Sequence, residues 1–254
     1  MNRDNHGWPT WLWLVRHGQS AGNVARDRAE AAGHPLIDIA ERDMDVPLSE
    51  LGARQARALG RWFGALASDQ RPTVLFTSPY RRSFESARLI AKEAGLEGPD
   101  FGEVVDERLR EKEFGMLNPL TKAGILARYP EQAALRAQLG KFYYRPPGGE
   151  SWCDVILRLR SLCDQLQLQY RGERVLIVAH QVIVLCFRYL LERMTEQEIL
   201  AIDAAGDVAN CSVTAYRCVG DSDRLQLELY NHVAPLEDSG QPVTARPDVP
   251  VASR

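Results

Sequence analysis

The stretch Leu12-Trp13-Leu14-Val15-Arg16-His17-Gly18-Gln19-Ser20-Ala21-Gly22-Asn23 decides how the chain is read. A short apolar run ends in arginine, histidine and glycine, and a serine then stands where a helix can begin. A buried strand that feeds a helix start gathers backbone N–H groups and the positive end of a helix dipole, both suited to a phosphate. Glycine lets the chain turn between the two. Alone, this pattern is weak, because a histidine beside a strand is more often a packing residue than a reactive one.

The same pattern recurs further along. The apolar run 175–179 ends in His180, and the run 73–76 is followed by Ser78-Pro79-Tyr80-Arg81-Arg82. Serine as N-cap and proline in the first turn are helix-start signals, which puts Arg82 at the carboxyl end of its strand. Arg81 is expected to pair with Glu85 four residues on. Between the strands, Ala56, Leu59, Phe63 and Leu66 share one helical face, as do Phe84, Ala87, Ala91 and Ala94, and Val155, Leu159, Leu162 and Leu166. Leu225, Leu227 and Leu229 alternate with polar residues, as in a half-exposed strand at a sheet margin. Apolar strands alternating with amphipathic helices predict an α/β fold with a largely parallel, two-sided sheet. A single domain is expected over residues 1–234, with a loose tail over 235–254 rich in Pro, Asp, Ser and Gly. Segments 26–47 and 118–147 read as insertions over the carboxyl ends of the strands, where ligands of open parallel sheets bind.

Composition narrows the function. The 254 residues carry 31 basic and 34 acidic side chains, a formal net charge of −3, so no overall basic excess draws the chain to nucleic acid or an anionic membrane. No apolar run approaches the about 20 residues that span a bilayer, and the start shows no long apolar segment with a cleavage site. The five cysteines, Cys153, Cys163, Cys186, Cys211 and Cys218, form no CxxC pair. They read as reduced packing thiols of a cytoplasmic protein rather than disulfides or zinc ligands. The stretch Arg108-Leu109-Arg110-Glu111-Lys112-Glu113-Phe114-Gly115 reads, by composition alone, as a charged surface loop.

Taken together and in order, these motifs resemble the histidine phosphatase superfamily, with its phosphoglycerate mutase-like fold. Residues 16–23 match R-H-G-[EQ]-[ST]-x-x-N, 45–56 match D-x-P-L-[ST]-x-x-G-x-x-Q-A, and 78–82 match S-x-x-x-R. Residues 109–111 match L-x-E, 149–151 match G-E-S, and the strand 175–179 delivers the second histidine. The resemblance spans about residues 12–219. It implies a three-layer α/β/α sandwich in which His17 attacks phosphorus, Arg16, Arg82, His180 and Asn23 hold the phosphoryl oxygens, and Glu111 protonates the leaving alcohol. Gln19 is expected to tune the nucleophile rather than react.

Phosphoryl transfer is mostly positioning plus charge stabilisation, and the planar fork of arginine matches phosphate oxygens. No cofactor and no metal are then expected. His17 must be unprotonated at its attacking nitrogen and Glu111 protonated, which predicts a mildly acidic to neutral optimum. Within the superfamily, His180-Gln181 and the run from Tyr129 to Ser151 are similar to the fructose-2,6-bisphosphatase group and its single-domain relatives. That likeness makes Arg136 and Gln181 candidate substrate contacts. Leu185 and Lys122 depart from that group, as does one extra residue before Glu150, so the sugar-phosphate contacts stay open. The expected partner is a small phosphoester substrate. A mutase that returns the phosphoryl group to a bound acid, and a non-catalytic binding module on the same fold, are the alternatives. Natural substrate, oligomeric state and the role of Trp8, Trp11 and Trp13 are not read from the sequence.

Overall fold

The computed structural model describes residues 7–98, 101–219 and 224–245. The chain start 1–6 and the tail 246–254, on which expectations about a leader and a loose end partly fall, lie outside the described residues. In chain order the elements are β1 (Trp11–Arg16), α1 (Ala21–Ala31), α2 (Glu50–Ala65), β2 (Val74–Thr77), α3 (Arg81–Ala94), β3 (Gly102–Val105), α4 (Lys122–Arg128), α5 (Pro130–Tyr143), α6 (Trp152–Gln169), β4 (Arg174–Ala179), α7 (Gln181–Leu191), α8 (Glu196–Ala205), β5 (Val213–Cys218), β6 (Leu225–His232) and α9 (Ala234–Glu237).

The strands form one sheet in the order β3-β2-β4-β1-β5-β6. β3, β2, β4 and β1 pair in parallel, while β5 runs antiparallel to both β1 and β6. Because strand side chains alternate between faces, β1 sends Leu12 and Leu14 to one side and Trp13 and Val15 to the other. Leu12, Leu14, Val175 and Ile177 join a core with Val155, Leu159 and Leu162 of α6 and Ile183 and Phe187 of α7. Trp13, Val15, Leu176 and Val178 join a second core with Leu59 and Phe63 of α2 and Ala87 and Ile90 of α3. Helices therefore cover both faces, and burial on both faces explains why β1 and β4 read as unbroken apolar runs.

Several local expectations need correction. β3 and β5 were not foreseen. β3 is short, with half-buried and exposed residues alternating, and β5 begins amid polar residues. α3 starts at Arg81 rather than after a Ser78 cap; Tyr80 is its N-cap, and the Ser78 hydroxyl serves elsewhere. Arg81 does pair with Glu85, at 2.7 Å. Segment 26–47 contains the end of α1 and a short 3-10 turn, Asp43–Asp45, and is stitched to 118–147 by a bridge between Leu36 and Leu120. The tail departs most from expectation. Residues 234–237 form α9, and the chain to residue 245 is hydrogen-bonded to the domain, with Gln55 Nε2 donating to the Pro242 carbonyl at 2.8 Å. All five cysteines are free thiols.

Candidate active site

Parallel pairing brings the carboxyl ends of β1, β2, β3 and β4 to one edge, and β5 starts there because it runs the other way. His17 extends the β1–β4 ladder by one bond, its N–H donating to the Ala179 carbonyl at 2.9 Å. Beyond it the loop is pinned group by group. Asn210 Nδ2 donates to the His17 carbonyl (3.0 Å), the Gly18 N–H donates to Ser86 Oγ (3.0 Å), and the Gln19 N–H donates to Gln55 Oε1 (2.9 Å). The Ser49 N–H closes on the Gln19 carbonyl at 2.9 Å. Such close packing requires glycines: a Cβ on Gly18 would lie 2.5 Å from the Gly52 carbonyl oxygen, and one on Gly52 would lie 2.0 Å from that of Gln19.

These restraints aim the imidazole. His17 Nδ1 lies 2.7 Å from the Gly18 carbonyl oxygen, which can only accept, so Nδ1 carries the proton. Nε2 is then the lone-pair nitrogen, and it accepts from Arg82 Nε at 3.3 Å. The His180 ring stands 5.1 Å from the His17 ring, centroid to centroid, at 67°. His180 Nε2 meets the Ser78 hydroxyl at 2.9 Å, and the Tyr80 ring packs edge-on at 5.2 Å. α3 and α7 both start here without a side-chain cap, so their N–H groups and dipoles favour an anion.

Two arginines are buried here, one closing β1 and one in the first turn of α3. Arg16 is buried and its Nη1 donates to the Val208 carbonyl at 2.5 Å. Arg82 is buried against Tyr80 and is held by Asp43, whose carbonyl oxygen lies 2.6 Å and whose Oδ1 lies 3.1 Å from Nη1. Burial, with the nearby Glu113 and Asp43 carboxylates, pushes the Tyr80 phenol up. A pocket of about 270 Å³ opens beside Arg82, its lining including Asn23, Arg26, Ile39, Asp43 and Asn118. Asn23 turns its Oδ1 to the Ser20 N–H at 2.9 Å, capping α1.

The stretch that composition made a surface loop is largely buried. Glu111 is 1% exposed, and its Oε1 accepts the Lys112 N–H at 2.8 Å. Glu150 explains the G-E-S motif: its Oε2 accepts the Glu113 N–H at 3.0 Å, while its Oε1 pairs with Arg158 Nε at 3.0 Å. Tyr80 ties this loop to α3, its hydroxyl donating to Glu113 Oε2 at 3.1 Å. Lys112 is 6% exposed, with Nζ 3.9 Å from the Phe114 ring centroid. Burial lowers its pKa to about 7; Arg136 pushes the same way and Glu111 opposes. Burial also lowers the pKa of Arg136, offset in part by Asp203. Gln181 Nε2 donates to Asp207 Oδ1 at 3.0 Å, and its own Oε1, buried, accepts nothing among the described residues.

The structure thus puts His17, His180 and Arg82 in one group, shares a pocket between Arg82 and Asn23, and makes Lys112 a common neighbour of Glu111 and Arg136. Sequence reasoning missed Asp43, Arg26, Lys112 and the Ser78 hydroxyl. Of these, Lys112 carried a signal, a lysine directly beside a candidate acid in a loop with the apolar anchors Leu109 and Phe114. Among the described residues no cluster of three or more His, Cys, Asp or Glu side chains is arranged to hold a metal, and no helix is long and apolar enough to cross a membrane.

Comparison with known proteins adds the lineage. The profile of the histidine phosphatase superfamily (branch 1) matches residues 12–232. The chain is 32% identical over 194 residues to the 2,3-bisphosphoglycerate-dependent phosphoglycerate mutase of Methylobacterium sp. (strain 4-46), covering 76% of this chain and 85% of that one. It is 28% identical over 229 residues to the 6-phosphofructo-2-kinase/fructose-2,6-bisphosphatase of Gallus gallus, covering 90% of this chain and 43% of that one. A mycobacterial glucosyl-3-phosphoglycerate phosphatase solved with VO3 superposes with a TM-score of 0.66 at 28% identity, over 88% of this chain and 99% of that one. The phosphoglycerate mutase-like α/β/α fold is therefore shared with these proteins. The chain belongs to the histidine phosphatase superfamily, branch 1, and its enzyme class is phosphoric monoester hydrolase.

Proposed function

We propose that the chain hydrolyses a small phosphorylated metabolite in two steps through a phosphohistidine on His17. The observation that carries this reading is the fixed imidazole: Nδ1 donates to the Gly18 carbonyl, and Nε2 faces Arg82 beside His180. Nε2 attacks phosphorus, the ester P–O bond breaks, and Glu111 gives its proton to the departing oxygen. Arg16, Arg82, His180 and the Asn23 amide hold the phosphoryl oxygens, and charge spread over those oxygens in the transition state is what guanidinium groups stabilise. In the second step the Glu111 carboxylate takes a proton from water, which attacks phosphorus and returns Nε2 with its lone pair. Asn23 serves one oxygen at most, because its Oδ1 caps α1.

The leaving group would carry a second acid. Lys112, a buried amine whose pKa burial lowers to about 7, stands beside Glu111 and near Arg136, and an anionic group on the substrate would favour its charged form. Gln181 Oε1 adds an acceptor for a hydroxyl of the same group. The relatives named as phosphoglycerate mutase and glucosyl-3-phosphoglycerate phosphatase support a phosphorylated acid as the substrate class.

A panel of phosphoesters with matched carbon skeletons, with and without a carboxylate, tests both parts. Turnover of the acid-bearing members with a kcat/KM advantage of about tenfold or more is expected, since a buried charge pair contributes 1.5 kcal/mol or more. Equal rates across the pairs would remove the role of Lys112. Transfer to a bound acid, favoured by likeness to the mutase, is separated by phosphate release without added bisphosphoglycerate.

A further inference from the structure

We propose that Thr244 is a positioning residue for His17, acting through a strap formed by residues 241–245 that runs behind the nucleophile loop. The inference rests on the proposed role of His17. Two buried amide side chains, Asn210 and Gln55, bracket that loop, one holding the His17 carbonyl and the other the Gln19 N–H. An amide side chain has a donor end and an acceptor end, and nothing in its shape fixes which faces which way. The His17 carbonyl and the Gln19 N–H each select one end, and the far end then needs a partner of its own to hold the side chain there.

Thr244 is that partner for both. Its Oγ1 donates to Asn210 Oδ1 at 2.9 Å and accepts from Gln55 Nε2 at 3.0 Å. A hydroxyl has one proton, so donation to Asn210 leaves an oxygen lone pair for Gln55, and the two bonds support each other. With Oδ1 drawn to the strap, Asn210 must present Nδ2 to the His17 carbonyl; with Nε2 drawn to the strap, Gln55 must present Oε1 to the Gln19 N–H. Flipping either amide would place two donors or two acceptors face to face. The strap is anchored around the hydroxyl, since the Asn210 N–H donates to the Thr244 carbonyl at 2.8 Å and Gln55 Nε2 also donates to the Pro242 carbonyl at 2.8 Å. Arg54 Nε reaches Gln241 Oε1 at 3.3 Å.

Thr244 itself is half-buried, and its neighbours Pro242, Val243 and Ala245 are exposed. It contributes little to either core, so its value lies in orienting these amides. A shift of the attacking nitrogen of about an ångström can cost on the order of a hundredfold in rate. Losing the hydroxyl should therefore slow attack on phosphorus while leaving phosphate affinity, which Arg16 and Arg82 supply, close to its original value.

The test uses the full chain with Thr244→Val, which keeps shape and removes the hydroxyl, and Thr244→Ser, which restores it. Readouts are the single-turnover rate of phosphoenzyme formation from an aryl phosphate, the inhibition constant of inorganic phosphate, and Tm. Thr244→Val should form phosphoenzyme about tenfold or more slowly, with the inhibition constant changed less than about threefold, and Thr244→Ser should recover most of the rate. Phosphoenzyme formation at the wild-type rate in Thr244→Val would overturn the proposal, as would a loss that Thr244→Ser does not rescue. Should the wild-type chain form no phosphoenzyme on His17, the functional reading itself fails, an outcome seen before any Thr244 variant is compared.

Discussion

Asp43 grips Arg82 through two groups at once, its carbonyl oxygen 2.6 Å and its carboxylate Oδ1 3.1 Å from the guanidinium Nη1. Asp43 lines the pocket beside Arg82, so it puts a negative charge on an arginine proposed to bind phosphate. A phosphoryl dianion approaching Arg82 must displace or repel that carboxylate. Asp43→Asn keeps the backbone contact and removes the charge. The inhibition constant of inorganic phosphate should then fall by about fivefold, corresponding to roughly 1 kcal/mol for a charged hydrogen bond no longer contested. Weaker phosphate binding in this variant would show instead that the carboxylate orients Arg82.

Glu111 as proton donor predicts a dependence on the leaving group. Glu111→Gln should lower kcat for alkyl phosphates by about a hundredfold or more, the usual scale of general acid catalysis. Aryl phosphates, whose leaving groups need little protonation, should lose much less in the formation of phosphoenzyme. Equal losses for the two classes would assign Glu111 to binding.

The Lys112 ammonium, with its pKa lowered by burial to about 7, is charged below that pH and neutral above it. For substrates bearing a second acid, kcat/KM should therefore fall as pH rises through about 7, and Lys112→Gln should remove that limb. Substrates without the acid should show the same pH profile in both proteins. The same shift bears on stability. Between about 7 and the ordinary 10.5 the unfolded chain holds more protons at this site than the folded one, so this residue's contribution to stability rises with pH across that window. Urea titrations at several pH values, comparing Lys112→Met with the wild type, read the slope.

Much of this fold was legible because β1 and β4 are buried on both faces and so spell themselves as apolar runs, each ending in a histidine. β3 was invisible for the opposite reason: its four residues, Gly-Glu-Val-Val, alternate between half-buried and exposed at the sheet edge. The Glu111 loop misled because some of its charges are paired against the protein, as between Arg108 and Asp106, and composition does not tell a paired charge from a solvated one. Asp43 and Thr244 could not be read at all, since each matters through a residue far away in the chain.

Gly52 offers a test of the close packing under the His17 loop. A Cβ there would sit 2.0 Å from the Gln19 carbonyl oxygen, a contact that backbone must relieve by moving. Gly52→Ala should destabilise the protein by about 1–3 kcal/mol, as overpacking does, and should lower kcat by more than Gly206→Ala, where the backbone is extended and a Cβ meets nothing within 4 Å. Thermal melts and steady-state kinetics on the two variants make the comparison.

The account stands most directly on the identity of the phosphorylated atom. Rapid quench of the enzyme with an aryl phosphate at alkaline pH, which preserves phosphohistidine, followed by peptide mass spectrometry, locates it. A single phosphoryl group on the peptide containing His17, absent in His17→Ala, is expected. A phosphoryl group on His180 or on any other side chain, or undiminished turnover by His17→Ala, would contradict it.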